Sequence, residues 1–377
     1  MSSYVIWANK GGIGKSTMSF QLAAATARAN PKKKVIVIDL SPQCDVSRMM
    51  LGGGHFGGEN KILDIMLSNP RKTIQSYLSD CSNDVPTGMG WPDPWNYIVE
   101  PNTVRDPKAP KLPENLRLLC GDFDLERTIQ TIEKLPQPTR RSGRVPTGAH
   151  YSIYLLTRSF LRHAVDLLTQ KNDNIVIIDT DPYFNVITTQ MGLVAADNWV
   201  TAYSPTSQAS QYAVLRSIEF MFEPASGLQR YIDDEKAQFS QPWFDNRGNP
   251  LTAPVIDVAK PYLLLANMAN PYSAKGAKPY TKPQKLHQQA MSKVEADTAT
   301  DASTYGVKNF KHSNHMWDIR RLGLICDYNG VELHTLKIGD SYAAPAATRR
   351  YTLSTSGGTP VQLAGYQTRL TTVAKVF

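Results

Sequence analysis

The segment NKGGIGKST, residues 9–17, limits the possible folds of this chain more than any other feature. It follows a short apolar run at Tyr4–Ala8, which predicts a strand, and it leads into an alanine- and leucine-rich segment at Thr17–Ala29, which predicts a helix. A glycine-rich turn between a strand and a helix lets backbone N–H groups surround an anion, and the helix N-terminus adds positive potential. The turn is therefore predicted to bind phosphate.

The spacing of this loop assigns a role to each position. Lys15 supplies a point charge for the β- and γ-phosphates of a nucleotide, and the Ser16 hydroxyl is placed to bind Mg²⁺. The ordinary pattern GxxxxGK[ST] would need glycine at the position of Asn9, so the loop has the deviant form KGGxGK[ST] with a second lysine at Lys10. The loop residues predicted to bind the nucleotide are Lys10, Gly11, Gly12, Ile13, Gly14, Lys15, Ser16 and Thr17.

Short apolar runs recur along the chain and predict the strands of a parallel sheet. Runs that are apolar on successive residues are typical of strands covered on both faces. They lie at residues 34–39, 116–120, 174–179, 199–203 and 262–267. Helical patterns at residues 157–170 and 207–221 separate some of them. The predicted fold is a doubly wound, mostly parallel α/β sheet of the P-loop NTPase class, with loop and helical insertions.

Length and composition favour one soluble, decorated domain. The 377 residues are 41% hydrophobic and 20% charged, and no compositional break divides them, so a single domain over residues 1–377 is predicted. Stretches rich in proline, glycine or polar residues predict insertions near 82–113, 135–148 and 223–261. No run approaches the roughly eighteen apolar residues of a membrane span, and the four cysteines are far apart. A cytoplasmic protein without stable membrane insertion is predicted.

Positive charge is concentrated in the last third of the chain. The formal net charge is +8, and residues 271–377 hold fourteen Lys/Arg against seven Asp/Glu. A cationic end on a nearly neutral body predicts a surface for nucleic acid or another polyanion. The alternative is a solvated lysine-rich surface that promotes solubility.

Four sequence blocks resemble the ParA/MinD family of deviant-Walker ATPases, and the ParA branch most closely. The blocks are KGGIGKST (10–17), VIDLSPQCDVS (37–47), NIVIIDTDP (174–182) and GLVAADNWVTAYSPTSQA (192–209). Lys10 matches the signature lysine, which in this family reaches the partner's nucleotide across an ATP-sandwich homodimer. Asp39 matches the first aspartate of the family's DxDPQ motif, and Asp179 matches the Walker B aspartate that holds Mg²⁺. Asn267 matches a position that contacts adenine, although it could equally cap the end of a strand.

The resemblance implies a set of functional residues and one departure. The residues predicted to be catalytic are Lys10, Lys15, Asp39 and Ser41, and those predicted to hold Mg²⁺ are Ser16, Asp39 and Asp179. Ser41 stands where the family has the second aspartate of DxDPQ, which positions the attacking water, and serine lacks that carboxylate. Either Asp45 or Asp181 replaces this group, or hydrolysis is very slow or relies on backbone groups.

The family also implies a biological role. The chain is predicted to be an ATP- and Mg²⁺-dependent switch ATPase that binds non-specific DNA, associates with the nucleoid, partitions a plasmid or chromosome, and is stimulated by a ParB-like centromere-binding adaptor. The residues predicted to contact DNA are Arg320, Arg321, Arg349 and Arg350.

Two alternatives remain open at this stage. A MinD-like, membrane-associated positioning ATPase would use the apolar stripe of residues 366–377, although docking of this stripe onto the domain's own core is favoured. A non-hydrolysing, nucleotide-dependent scaffold would follow from Ser41. Trp91 and Trp95 are predicted to pin the first insertion to the body, with a partner-docking loop as the alternative.

Overall fold

The apolar runs form strands, and most segments between them form helices. The computed structural model describes residues 2–87, 89–133, 153–170, 173–238, 243–244, 250–251, 256–269, 282–345, 350–356 and 359–377. The strands are β1 (Ser2–Ile6), β2 (Val35–Asp39), β3 (Leu116–Leu119), β4 (Ile175–Asp179), β5 (Asn198–Tyr203), β6 (Trp243–Phe244), β7 (Pro250–Leu251), β8 (Lys260–Ala269), β9 (His312–Trp317), β10 (Ser341–Tyr342) and β11 (Tyr351–Thr352). The α-helices are α1 (Lys15–Ala29), α2 (Asp45–Met50), α3 (Gly58–Met66), α4 (Ile74–Thr87), α5 (Pro101–Val104), α6 (Leu125–Glu133), α7 (Ile153–Gln170), α8 (Gly192–Ala195), α9 (Gln208–Phe222), α10 (Leu228–Gln238), α11 (Lys285–Thr304), α12 (Arg320–Asn329) and α13 (Thr359–Ala374).

Seven parallel strands form the central sheet, in the order β3-β2-β4-β1-β5-β8-β9. This arrangement confirms the predicted doubly wound α/β fold. In the sheet register Asp179, the last residue of β4, lies opposite both Ile6 and Asp39. The carboxyl ends of three neighbouring strands therefore meet where the glycine-rich loop begins, which is the position where open parallel sheets bind ligands.

Alternate side chains of each central strand enter two separate apolar cores. Val35 and Val37 of β2 pack in the core that contains α1 and α13, whereas Ile36 and Ile38 pack in the core that contains α7. All four side chains are fully buried. Helices thus cover both faces of the sheet, which explains why the strands are apolar on successive residues.

The C-terminal stripe docks onto the body of the domain. Leu370 and Val373 are fully buried in α13, and Phe377 packs against the same core. The Tyr4 hydroxyl donates a hydrogen bond of 3.1 Å to the carbonyl of Phe377. The favoured interpretation of this stripe is confirmed, and its apolar side chains are not available to a membrane in this conformation. Among the described helices, none is long and apolar enough to cross a bilayer.

The first predicted insertion is attached to the sheet and is partly helical. Residues 82–87 belong to α4, and Pro94–Tyr97 form a 3-10 helix. Trp91 and Trp95 pack against the apolar core, and Val99 forms an antiparallel bridge with Leu118 of β3. The tryptophans therefore pin this segment to the domain, as predicted.

The remaining irregular regions are more regular than their composition indicates. Residues 135–148 lie outside the described residues. Within 223–261, α10 forms a helix of eleven residues, so this stretch is partly helical. In the basic third, Lys285–Thr304 forms the longest helix of the described chain and His312–Trp317 adds an edge strand; neither was predicted.

Candidate nucleotide-binding site

The glycine-rich loop joins β1 to α1 at the carboxyl edge of the sheet. Gly12 and Gly14 have φ angles of 72° and 78°, in the left-handed region that residues with a side chain rarely adopt. Ile13 between them is buried beside Ala8 and Ala202. The two glycines let the backbone turn, and the buried isoleucine anchors it, so the loop is held as a cradle at the start of α1.

The two lysines of the loop have opposite environments. Lys15 is only 7% exposed, and its Nζ donates a hydrogen bond of 2.9 Å to the carbonyl of Lys10. Burial lowers the pKa of Lys15, while the carboxylates of Asp179 and Asp181 act in the opposite direction. The Lys10 side chain, in contrast, is exposed to solvent. Lys15 belongs to the interior of the site and Lys10 to its outer surface.

Asp179 presents one unpaired carboxylate oxygen beside the loop. Its Oδ1 accepts a hydrogen bond of 2.6 Å from the Ser19 hydroxyl, and its Oδ2 is buried without a hydrogen-bond partner among the described residues. Burial raises the pKa of Asp179, and the neighbouring Ser19 and Ser16 hydroxyls and the Lys15 charge lower it. A carboxylate oxygen without a protein donor, next to the Ser16 hydroxyl, is a hard-oxygen set that fits Mg²⁺.

Both carboxylate oxygens of Asp39 accept hydrogen bonds from the protein. Its Oδ1 accepts from the backbone N–H of Ser41 at 3.0 Å, and its Oδ2 accepts from the backbone N–H and hydroxyl of Ser47 at 3.0 and 2.7 Å. The side chain is fully buried, and both its burial and the nearby charge of Asp179 raise its pKa. This geometry favours a role in positioning the loop after β2 over direct contact of Asp39 with a metal ion.

A cleft of about 430 Å³ opens in front of the loop and contains all three groups considered for positioning water. Ser41 lines it with its side chain largely buried. Asp45 lines it but forms an ion pair of 2.5 Å with Arg48. Asp181 is half-buried, accepts a hydrogen bond of 3.3 Å from the backbone N–H of Tyr183, and has a pKa raised by burial. The cleft thus contains the carboxylates of Asp45 and Asp181, although the residue at position 41 is a serine.

A second, smaller pocket of about 220 Å³ adjoins the loop beyond Gly14. Its lining includes Met268, Ile319 and Leu324, which give it an apolar wall suited to a flat base. Asn267 also lines this pocket, and its Nδ2 donates a hydrogen bond of 2.7 Å to the carbonyl of Ile13. Asn267 therefore supports the loop from the end of β8, at the position from which contact with adenine is predicted.

Asp327 belongs to the site although no sequence pattern pointed to it. Its Oδ2 accepts a hydrogen bond of 2.8 Å from the Thr17 hydroxyl, and the residue lines both the cleft and the second pocket. Burial raises its pKa to about 6. It lies on α12, some three hundred residues from the loop in sequence, and only tertiary packing brings the two together.

The predicted DNA-contacting arginines all belong to the last third of the chain. Arg320 and Arg321 are the first two residues of α12, and Arg349 is outside the described residues. Arg350 is exposed, and its guanidinium donates a hydrogen bond to the carbonyl of Ser341. Contact of these residues with DNA stays a prediction.

The first half of the chain matches a known domain family. Residues 4–188 match the description "CobQ/CobB/MinD/ParA nucleotide binding domain". This stretch contains the loop, the segment after β2 and the segment around Asp179, which are three of the four blocks quoted above. The match confirms the resemblance to the ParA/MinD family. No curated protein sequence is significantly similar to the chain.

Solved structures share the fold over most of the chain. Apo McdA from Cyanothece is 15% identical, with a TM-score of 0.50 and coverage of 89% of this chain and 92% of that one. An ATP complex of a Cyanothece McdA variant is 14% identical, with a TM-score of 0.51 and coverage of 89% of each chain. A protein of Corynebacterium diphtheriae is 14% identical, with a TM-score of 0.51 and coverage of 88% of this chain and 97% of that one. At these identities the likeness establishes the fold.

Proposed function

Because residues 4–188 belong to the family of CobQ/CobB/MinD/ParA nucleotide-binding domains, we propose that the chain is a ParA-like, ATP-dependent switch that dimerises and binds non-specific DNA. In this proposal the whole chain is a single decorated domain that acts in the cytoplasm at the nucleoid and positions or partitions a plasmid or chromosome. A ParB-like adaptor stimulates its slow hydrolysis of ATP and thereby releases it from DNA.

The observation that carries this proposal is the opposite burial of the two loop lysines. Buried Lys15 lies within the subunit's own cradle, whereas exposed Lys10 extends from the same loop toward solvent. A long exposed cation beside a phosphate site suits a second nucleotide that faces it from another subunit, whose phosphate charge it would neutralise. ATP bound between two copies would then hold them together.

Different residues of the chain bind the phosphates, hold the metal ion and position the loop after β2. Backbone N–H groups of the loop and the Lys15 ammonium bind and orient the phosphate oxygens. Ser16 and Asp179 would hold Mg²⁺, which neutralises charge on the β- and γ-phosphates when bound. Asp39 keeps the loop after β2, including Ser41, in place.

Lys10→Ala tests the sandwich. We expect this variant to retain much of the monomer's ATP affinity but to stay monomeric with ATP and Mg²⁺, because only the contact across the interface is removed. Light scattering measures the mass, and calorimetry measures ATP binding. Lys32→Ala, which alters an exposed lysine in the turn between α1 and β2, is the matched control and should dimerise normally. A Lys10→Ala dimer as stable as the wild type would contradict the sandwich.

The excess of positive charge after residue 270 supports the DNA-binding part of the proposal. Replacing Arg349 and Arg350 with alanine is expected to lower the slope of log affinity against log salt by up to about two, since each phosphate contact contributes roughly 0.9. Binding is measured on random duplex DNA with ATP, with ADP and without nucleotide. Arg230→Ala, which removes an exposed arginine of α10, should leave the slope unchanged. An unchanged slope in the double variant would move the DNA surface elsewhere, and strong preference for one sequence would contradict non-specific binding.

Ser41 favours a second candidate function, a nucleotide-dependent scaffold that does not hydrolyse ATP. The absence of a carboxylate at this position removes the group that the family uses to orient water. Phosphate release followed over hours separates the two: no release with or without a partner favours the scaffold. The docked C-terminal helix speaks against the MinD-like alternative, because its apolar residues are part of the core.

A further inference from the structure

Asp327 is a carboxylate in an unusual place, beside a loop built to bind anions. It accepts a hydrogen bond from Thr17, the residue that follows Ser16 in the first turn of α1. No ion pair within the described part of the chain engages it, and its Oδ1 is buried without a hydrogen-bond partner. A buried acceptor of this kind costs free energy when it is left unpaired. We therefore expect a bound ligand to supply the missing hydrogen-bond donor.

The location of Asp327 limits what that donor is. Asp327 lines both the cleft at the phosphate loop and the apolar pocket next to it, so it lies where the two meet. In a nucleotide the sugar connects the α-phosphate to the base, and the loop's backbone binds the α- and β-phosphates. A nucleotide with phosphates in the cleft and base in the pocket therefore places its sugar at this junction.

The three parts of a nucleotide differ in whether they can donate a hydrogen bond to the Asp327 carboxylate. A phosphate oxygen would be repelled by the carboxylate, and the pocket for the base is walled by apolar residues such as Ile319 and Leu324. Ribose hydroxyls are donors, and a hydroxyl that donates to a carboxylate forms a strong, charge-assisted hydrogen bond. Carboxylates bind ribose hydroxyls in this way in other nucleotide-binding folds.

We propose that Asp327 binds a hydroxyl of the ribose, so that the site binds ATP more tightly than an analogue that lacks this hydroxyl. The inference deepens the proposed function and rests on its ATP binding. Thr17 orients the carboxylate by donating to Oδ2, which leaves Oδ1 for the sugar. Helix α12 thus supplies a specificity-determining residue to a loop at the other end of the chain.

The test compares the affinities of the wild type for ATP, 2′-deoxy-ATP and 3′-deoxy-ATP, measured by calorimetry with Mg²⁺. We expect ATP to bind about ten- to a hundredfold more tightly than at least one deoxy analogue, which is the range for a hydrogen bond to a charged group. This measurement needs no variant. Equal affinity for all three nucleotides would overturn the inference, whereas no binding of ATP would overturn the proposed function itself.

Variants then assign the preference to this carboxylate. Asp327→Ala is expected to reduce the ratio of ATP to deoxy-ATP affinity to about one, and Asp327→Asn is expected to reduce it partly because an amide oxygen still accepts. The ratio is used because removal of a negative charge also changes phosphate affinity. Asp233→Asn, which alters an exposed acid on α10 outside the cleft, should leave the ratio unchanged. A ratio that survives in Asp327→Ala would overturn the inference.

Discussion

Lys15→Ala is expected to lower ATP affinity by about a hundredfold or more. The Lys15 ammonium is buried inside the loop, and truncating one partner of a buried charge contact typically costs about 2–5 kcal/mol. The negative phosphates would then lie in the cradle with backbone N–H groups alone. Calorimetric titration with ATP and Mg²⁺ measures the loss.

The second lysine of the same loop is the matched control for this prediction. Lys10→Ala removes an equal charge from an exposed side chain and is expected to leave the monomer's ATP affinity within a few fold, because exposed charge contacts contribute little. Far-UV circular dichroism of both variants checks that the fold is kept. Equal losses in the two variants would contradict the division between an interior and an outward-facing lysine.

Asp181→Asn is expected to lower single-turnover hydrolysis of ATP by about a hundredfold, within the roughly 10²–10⁴ range of a positioned general base. Asp181 lines the cleft in front of Lys15, and within the described residues no ion pair engages it. Burial raises its pKa, so its deprotonated form is lost at a higher pH than for an exposed aspartate. The wild-type rate should accordingly fall on the acid side of neutrality.

Asp45→Asn tests whether hydrolysis depends on Asp181 in particular or on any negative charge in the cleft. Asp45 is already paired with Arg48, so its loss is expected to change hydrolysis by only a few fold. ATP affinity is measured for both variants, and the single-turnover rates are compared with the nucleotide fully bound. Under that condition a change in affinity alone does not alter the rate. Fast hydrolysis that survives in Asp181→Asn would show that another group orients the water.

The sequence was sufficient for six of the seven strands of the sheet and for the loop, because these depend on local pattern. The run at residues 34–39 predicted β2, which spans Val35–Asp39, and the run at 174–179 predicted β4, which spans Ile175–Asp179. Strands covered on both faces leave an uninterrupted apolar signal, and a glycine-rich turn before a helix is recognisable by spacing alone. The phosphate cleft follows directly from these two patterns.

The basic third was harder because two of its elements, α11 and β9, lack apolar periodicity. The buried residues of α11 are His287, Val294, Thr298 and Ala302, of which two are polar, so no apolar stripe marks this helix. Strand β9 begins with His312, Ser313 and Asn314 and lies at the edge of the sheet, where one side is unpaired within the described chain. An edge strand needs less apolar sequence than a central one, and this one gave no signal.

Asp327 was beyond sequence reasoning for another reason. A single aspartate in the segment Ile325–Asn329 has no spacing relation to the loop, and its contact with Thr17 exists only because α12 packs near the start of α1. Ser41 was recognisable as a departure from the family, but the ion pair that occupies Asp45 was not. The difference between the environments of Asp45 and Asp181 therefore became visible only in the coordinates.

Two hydrogen bonds connect the cradle to elements from later in the chain, β8 and α12. Asn267 at the end of β8 bonds the carbonyl of Ile13, and Asp327 on α12 bonds the hydroxyl of Thr17. Any ligand that shifts β8 or α12 must lengthen or break one of these hydrogen bonds. Thermodynamic linkage then fixes the return effect: if such a ligand changes nucleotide affinity by some factor, the nucleotide changes the affinity for that ligand by the same factor.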